Sequence, residues 1–324
     1  MIPDRANTQR PVLLRAFAVT WLAVSVLALL VAIVDVVVSA LYLSNVSHVS
    51  GAWMVLARDT SRGVFYRPLF HEQIGYGGTR FMPLFFVLHA VLIRLGVPAI
   101  EGGVALSILA GALMLGAVIA ILRIRRASWF TIVVSLAALL SFIRAREGFT
   151  SVRGDVLPVA LGLWGAYAWL RAYAPRRQAS RGTGMFVLAG ALFGLAFFAK
   201  ITSLFALSAA LAASLASTEP WRRRIHAAGT TLVSFLVFAG AFFAVVETAS
   251  GGSFSETFAA SAAAGATDLR LRTIIRDGIG GLAWQWRSNQ VGFRVLLVVG
   301  TLTGVWALTR DVRFARKPGA PVRG

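Results

Sequence analysis

Long apolar runs alternate with short polar segments along almost the whole chain. Nine runs stand out: 16–43, 81–97, 103–122, 129–143, 156–173, 185–199, 201–217, 227–246 and 291–308. A helix needs about 20 mainly apolar residues to cross the hydrocarbon core of a bilayer. The first run is too long for a cleavable signal, so we interpret it as a retained span with its N-terminus inside. The pattern predicts an all-α polytopic membrane protein, with residues 1–324 forming one membrane-embedded domain.

Basic clusters between the runs indicate how many of them cross. Arginines group at 123–126, 176–177 and 222–224, and cationic loops belong on the cytoplasmic side. These clusters fall inside, together with the basic tail 310–324, only if one early run does not cross. The run 81–97 is short, contains His89 and Arg94, and ends in Gly96-Val97-Pro98. We therefore expect about eight transmembrane helices plus this short re-entrant or interfacial segment, with both termini cytoplasmic.

Composition agrees with this class and narrows the partners. The chain is 57% hydrophobic and 14% charged, with a mean hydropathy of +0.74, which excludes a soluble domain of this length. Because the arginines behind the net charge of +19 fall between spans, anionic membrane lipids are expected partners and nucleic acid is not. Cysteine is lacking, which removes thiolate chemistry, and the four histidines have no ligand spacing. No cofactor is evident and a divalent metal is not supported.

The predicted topology places three polar segments on one outer face: 44–80, 144–155 and 248–290. In the first of them, Val46, Val49, Trp53 and Leu56 recur at steps of three and four, which predicts an amphipathic helix along the bilayer surface. The Gly-rich stretch 75–83 predicts a shaped loop. Lys200 falls on the same outer face.

Four short motifs, in order, carry a resemblance. They are Gly63 to Leu69 (GVFYRPL), Thr79 to Leu84 (TRFMPL), 149–163 (FTSVRGDVLPVALGL) and 190–204 (GALFGLAFFAKITSL). The ordered set is more specific than any one motif alone. It resembles the polyprenol-dependent glycosyltransferases of the GT-C superfamily, such as protein O-mannosyltransferases and lipid A aminoarabinose transferases, of which this chain looks like a short member.

The resemblance implies a GT-C-like membrane module that moves a sugar from a polyprenyl-phosphate donor to an acceptor at the outer face of the membrane. It also implies a bacterial cytoplasmic membrane as the location and inversion at the sugar. Asp155 matches the second acidic position of the superfamily, so it is the leading candidate for the catalytic carboxylate. A helix N-terminal acid favoured by the helix dipole is the structural alternative for Asp155.

Cations on the predicted outer face suit the phosphate of the donor. Arg80, Arg153 and Lys200 all lie at predicted span ends, and charged nitrogen donors pair well with phosphate oxygens. Each of the three is alternatively a cation that snorkels to the interface. Tyr66, Arg67 and Glu72 are further candidates for substrate binding.

One departure from the superfamily pattern keeps a second function open. Members usually carry a catalytic acid early in the first external loop, whereas this chain reads NVSHVS at 45–50. Asp59, Glu72 or His48 would have to replace that base, although a lone histidine on a surface helix is usually only a polar-face residue. The alternative is a noncatalytic protein of the same fold that binds or translocates a lipid-linked saccharide.

Overall fold

A computed structural model describes residues 5–67, 70–71, 75–76, 81–173, 180–217 and 219–266. These residues are almost entirely helical, as the sequence predicted. The elements are α1 Arg5–Leu41, α2 His48–Ser61, β1 Phe70–His71, β2 Gly75–Tyr76, α3 Leu84–Arg94, α4 Ala99–Ile124, α5 Trp129–Leu140, α6 Ile143–Thr150, α7 Val156–Tyr173, α8 Ser180–Ala199, a 3-10 turn Ile201–Ser203, α9 Leu204–Ala216, α10 Trp221–Ala249 and α11 Ser253–Ala266. The two short strands pair antiparallel, with Phe70 opposite Tyr76.

Four described helices are long and apolar enough to cross a membrane. They are Phe17–Leu41, Ala99–Ile124, Gly182–Ala199 and Trp221–Ala249. The apolar helices Leu84–Arg94, Trp129–Leu140 and Ile201–Ala216 are shorter. Length and composition therefore identify four candidate crossings among the described residues, out of the eight predicted for the whole chain. The predicted last span, 291–308, and most of the predicted outer segment 248–290 lie outside the described residues, as does the basic tail 310–324.

The segment that was predicted not to cross forms a short helix. α3 has 11 residues, which at 1.5 Å per residue make about 16 Å, half of a hydrocarbon core of about 30 Å. The helix ends at Arg94, Leu95 caps it, and Gly96 follows with a φ of 88°. α3 packs on α2, where the Phe85 and Trp53 rings meet edge to face at 5.3 Å. The predicted short segment therefore forms a helix that is too short to cross the hydrocarbon core by itself.

Pairs of contacts give the helix directions around α7. Asp155 and Lys200 lie together where α7 begins and α8 ends, and Gly165 packs against Phe193 further along, so α7 and α8 are antiparallel. Gly162 faces Ala206 across the contact between α7 and α9. Because Trp169 also donates a hydrogen bond to Ser214 Oγ, α9 runs parallel to α7.

Further contacts between helices define two ends of the helix bundle. Ser107 Oγ donates to the Arg153 carbonyl just before α7, and Trp164 Nε1 donates to the Leu113 carbonyl, so α4 runs parallel to α7. Thr183 lies beside His226, and Gly194 beside Phe238, so α10 runs with α8. The end that contains the Asp155–Lys200 pair is called the Lys200 end below. The opposite end, called the Arg123 end, holds 123–126 and 222–224, as the charge pattern required.

The predicted helix 129–143 is interrupted. α5 ends at Leu140, where Ser141 Oγ donates to the Ala137 carbonyl, a bond that bends helices. The chain restarts as α6, which sequence periodicity did not reveal. This break lets the buried Arg146 reach Asp35 of α1, with Nη1 2.6 Å from Oδ2. Asp35 thus joins α1 to α6 through this ion pair.

Candidate functional site

The three predicted outer segments meet at the Lys200 end, as far as they are described. Asn45 Nδ2 donates to Thr150 Oγ1 at 2.6 Å, which joins the first segment to the second. The Tyr66 ring contacts Phe254 at 5.2 Å, which joins the first segment to the corner between α10 and α11. Loops far apart in the sequence therefore build one surface.

The amphipathic helix of the first segment forms as predicted, and one of its faces is buried. Ser47 begins α2 in a capping box with Ser50, which satisfies amides that the first turn leaves free. Trp53 is 4% exposed and lies against Phe81, with ring centroids 4.4 Å apart. The buried Trp53 ring holds α2 against Phe85 of α3 and against Gly154, which lies just before α7.

A close approach at Gly154 positions the candidate carboxylate. A Cβ atom at residue 154 would lie 2.6 Å from the Trp53 ring and 3.1 Å from Phe85 Cβ. Only glycine admits this packing without displacing a large buried side chain. The chain then enters α7 at Val156, which leaves Asp155 at the helix start with an exposed side chain.

Lys200 reaches the same place from the end of α8. Its backbone is extended, with φ −165° and ψ 128°, between Ala199 and the 3-10 turn Ile201–Ser203. Lys200 Nζ donates to Asp155 Oδ1 at 2.6 Å, and both side chains are 47% exposed. Two residues that the sequence analysis chose separately, 45 positions apart, therefore form an accessible ion pair.

An apolar groove of about 570 Å³ begins at this ion pair and runs between α7 and α9. Its walls are Pro158, Val159, Gly162, Leu163, Ala166, Trp169 and Leu170 of α7, and Phe205, Ala206, Ala209, Ala210 and Ala213 of α9, with Thr202 and Ser203 near the mouth. The alanines of α9 leave room for the groove. The Trp169 N–H is satisfied by Ser214, so that side of the groove is apolar. Ser203 Oγ is buried and has no hydrogen-bond partner among the described residues.

Three other predicted site residues hold the first loop together. Arg67 pairs with Asp59 through two hydrogen bonds, of 2.8 and 2.9 Å, and the Asp59 side chain is only 15% exposed. Tyr66 is buried, with a φ of 52°, and its hydroxyl donates to the Phe81 carbonyl at 2.7 Å. Burial raises the pKa of the Tyr66 phenol, so it stays protonated as a donor.

The remaining candidates lie elsewhere. Arg153 Nη2 donates to Ser47 Oγ at 3.1 Å, and Arg153 Nε is buried without a partner among the described residues. His48 is exposed at the first position of α2. Neither of these two residues lines the groove. Arg80 and Glu72 lie outside the described residues.

The walls of the groove between α7 and α9 are not evident from the sequence. The small residues of α9 recur at steps of three and four, but such a stripe is also typical of tight helix packing between spans. Among the described residues, no group of three His, Asp or Glu side chains is arranged to hold a metal ion.

Comparison of the chain with protein-family models, with curated proteins and with solved structures finds no match.

Proposed function

We propose that this chain is a membrane glycosyltransferase that transfers a sugar from a polyprenyl-phosphate donor to an acceptor at the outer face of the membrane. The observation that carries the proposal is the Asp155–Lys200 pair at the mouth of an apolar groove. A lipid-linked sugar is itself an apolar chain joined to a charged head. The resemblance to the GT-C superfamily independently favours the same chemistry.

The groove suits the isoprenoid tail of the donor. It extends from Asp155 to Leu170 along α7, and 15 helical steps of 1.5 Å make about 22 Å. The walls offer apolar contact along that length. Because Val159 and Phe205 of its walls are exposed, a longer tail would continue from the groove into the bilayer. Apolar walls with a few polar groups at one end are typical of ligand sites.

The ion pair supplies the two groups that the transfer needs. The acceptor hydroxyl oxygen attacks the anomeric carbon, and its proton passes to the Asp155 carboxylate acting as general base. The bond from the anomeric carbon to the phosphate oxygen breaks, and its electron pair leaves on the polyprenyl phosphate. Lys200 stabilises the negative charge that develops there. When the donor phosphate replaces Asp155 at Lys200, the ion pair opens and the sugar lies between the two side chains, so attack opposite the leaving phosphate inverts the anomeric carbon.

A topology of eight crossings is consistent with this function. α1, α4, α8 and α10 are long enough alone, and the proposal adds α5 with α6, α7, α9 and the segment 291–308. With the arginines of the Arg123 end in the cytoplasm, the Lys200 end faces outward and both termini lie inside. We propose the bacterial cytoplasmic membrane as the location, since the resemblance implies it. A polyprenyl-phosphate sugar and anionic lipids are the proposed partners, and no cofactor is invoked.

The noncatalytic alternative, a binder or translocator of a lipid-linked saccharide, has one observation in its favour. Residues 45–50 contain no carboxylate, and Asp59, the nearest substitute, is engaged by Arg67. Among the described residues, Asp155 is the one carboxylate that lines the groove. Catalysis by this chain depends on Asp155.

A transfer assay separates the two functions. The purified full chain in lipid nanodiscs is mixed with a panel of polyprenyl-phosphate hexoses and pentoses, and release of free polyprenyl phosphate is measured. Asp155→Asn is expected to lower the rate about 100-fold to 10,000-fold. Asp59→Asn is the control, because Asp59 supports the loop and does not line the groove. Full activity of Asp155→Asn would refute the assigned base. Binding of the donors without transfer by the intact chain would support the noncatalytic function.

A further inference from the structure

A second groove, of about 500 Å³, lies at the Arg123 end on the outside of α10. One wall is Val187 of α8, and the rest is a single face of α10: Ile225, His226, Gly229, Thr230, Val233, Ser234, Val237 and Phe238. The spacing of three and four residues keeps these positions in one stripe along the helix. This groove is separate from the one that begins at Lys200.

An arginine without a partner among the described residues lies one helical turn before the groove lining begins. Arg222 lies one helical turn before His226, so the two side chains share a face. Arg222 is exposed and has no hydrogen-bond or ion-pair partner among the described residues. Its neighbours differ, because Arg223 pairs with Glu219 at 2.9 Å and Arg224 donates to the Leu215 and Glu219 carbonyls. Arg222 is the arginine of this cluster that is available to a ligand.

Below the mouth the groove is shaped for a hydrocarbon chain. A Cβ atom at Gly229 would meet nothing within 4 Å, so the missing side chain leaves a notch in the helix surface. Val233, Val237 and Phe238 continue the groove as apolar wall. Ser234 Oγ is satisfied by the Val187 carbonyl at 2.7 Å, so it presents no unpaired group to a ligand.

We infer that this groove binds an anionic phospholipid, with the headgroup phosphate at Arg222 and one acyl chain along Gly229, Val233 and Val237. Basic pockets between spans on the cytoplasmic side suit anionic headgroups. α10 is long and apolar enough to cross a membrane, which puts the groove beside lipid. The site takes a diacyl lipid of the surrounding leaflet and does not depend on the proposed transfer reaction.

Native mass spectrometry of the full chain with phosphatidylglycerol and phosphatidylcholine tests the inference. The wild type is expected to retain phosphatidylglycerol preferentially, and Arg222→Ala to lower that preference about tenfold, because a charged hydrogen bond to phosphate is lost. Gly229→Leu is expected to lower retention of both lipids by filling the notch. The matched control is Gly240→Leu, on the same helix face about three turns further on. A Cβ atom at Gly240 also meets nothing within 4 Å, and Gly240 does not line the groove.

Three outcomes would overturn the inference. They are equal retention of the two lipids by the wild type, equal effects of the two leucine variants, and displacement of phosphatidylglycerol by millimolar inorganic phosphate alone. The last result would identify a simple anion contact at Arg222 without a chain in the groove. Thermal unfolding of each variant checks that it folds. A Cβ atom at Gly229 or Gly240 meets nothing within 4 Å, and Arg222→Ala removes an exposed side chain.

Discussion

The Asp155–Lys200 pair predicts that substituting its two residues changes the affinity for a polyprenyl phosphate in opposite directions. A polyprenyl phosphate that binds Lys200 competes with the carboxylate that lies 2.6 Å from Lys200 Nζ. Lys200→Ala removes the cation and is expected to weaken binding of the lipid. Asp155→Asn removes the competitor and is expected to strengthen binding, although the same variant is expected to lose transfer. A purely structural ion pair would not move the affinity in opposite directions.

The size of each effect follows from the exposure of the pair. A hydrogen bond from a charged group contributes about 1.5–3 kcal/mol. An ion pair whose side chains are both 47% exposed contributes only about 0.2–1 kcal/mol, and this is lost when phosphate replaces the carboxylate. The net loss for Lys200→Ala is about 0.5–2.8 kcal/mol, which weakens Kd about 2-fold to 100-fold. For Asp155→Asn the gain is at most about 1 kcal/mol, or about fivefold tighter binding.

Titration of the detergent-solubilised chain with a sugar-free polyprenyl phosphate measures both values. Arg223→Ala is the matched control, because Arg223 and Glu219 form an ion pair of similar exposure, 44% and 32%, at the Arg123 end. This control is expected to leave Kd unchanged. Two results would refute competition between phosphate and Asp155 for Lys200. One is a shift of Kd in the same direction in Lys200→Ala and Asp155→Asn, and the other is a loss of binding in Arg223→Ala as large as in Lys200→Ala.

Two further predictions concern packing and topology. Gly154→Ala is expected to lower the free energy of unfolding by about 1–3 kcal/mol, because the methyl group meets Trp53. In Gly51→Ala the new Cβ meets nothing within 4 Å, and helix propensity predicts a gain of up to about 1 kcal/mol. Equal melting shifts for the two variants would contradict the packing argument. Because the chain has no cysteine, Ser253→Cys is expected to react with an impermeant thiol reagent on whole cells, whereas Ser128→Cys is expected to react only after lysis. Labelling of both from outside would refute the predicted topology.

Sequence periodicity predicted most of the helical framework because the membrane imposes a simple rule. Apolar runs must become helices, since backbone groups in lipid have no other partners. The run 156–173 coincides with α7, which is the segment Val156–Tyr173. The apolar stripe predicted α2 because one face of an amphipathic helix contacts apolar surroundings and the other contacts water. Periodicity missed α6 and α11, whose sequences are too polar or too rich in small residues to give a clear signal.

The sequence by itself determined the class of the protein, the helical segments and the sorting of cations between two faces, because these depend on local composition and on the bilayer. The tertiary structure alone decided which polar residues meet. Asp155 faces Lys200 because α7 and α8 are antiparallel, and Asp59 is engaged by Arg67 within its own loop. The groove between α7 and α9 exists because Gly162 of α7 and the alanines of α9 face each other with small side chains. Such contacts depend on the shapes of side chains from different helices, which no pattern within a single segment encodes.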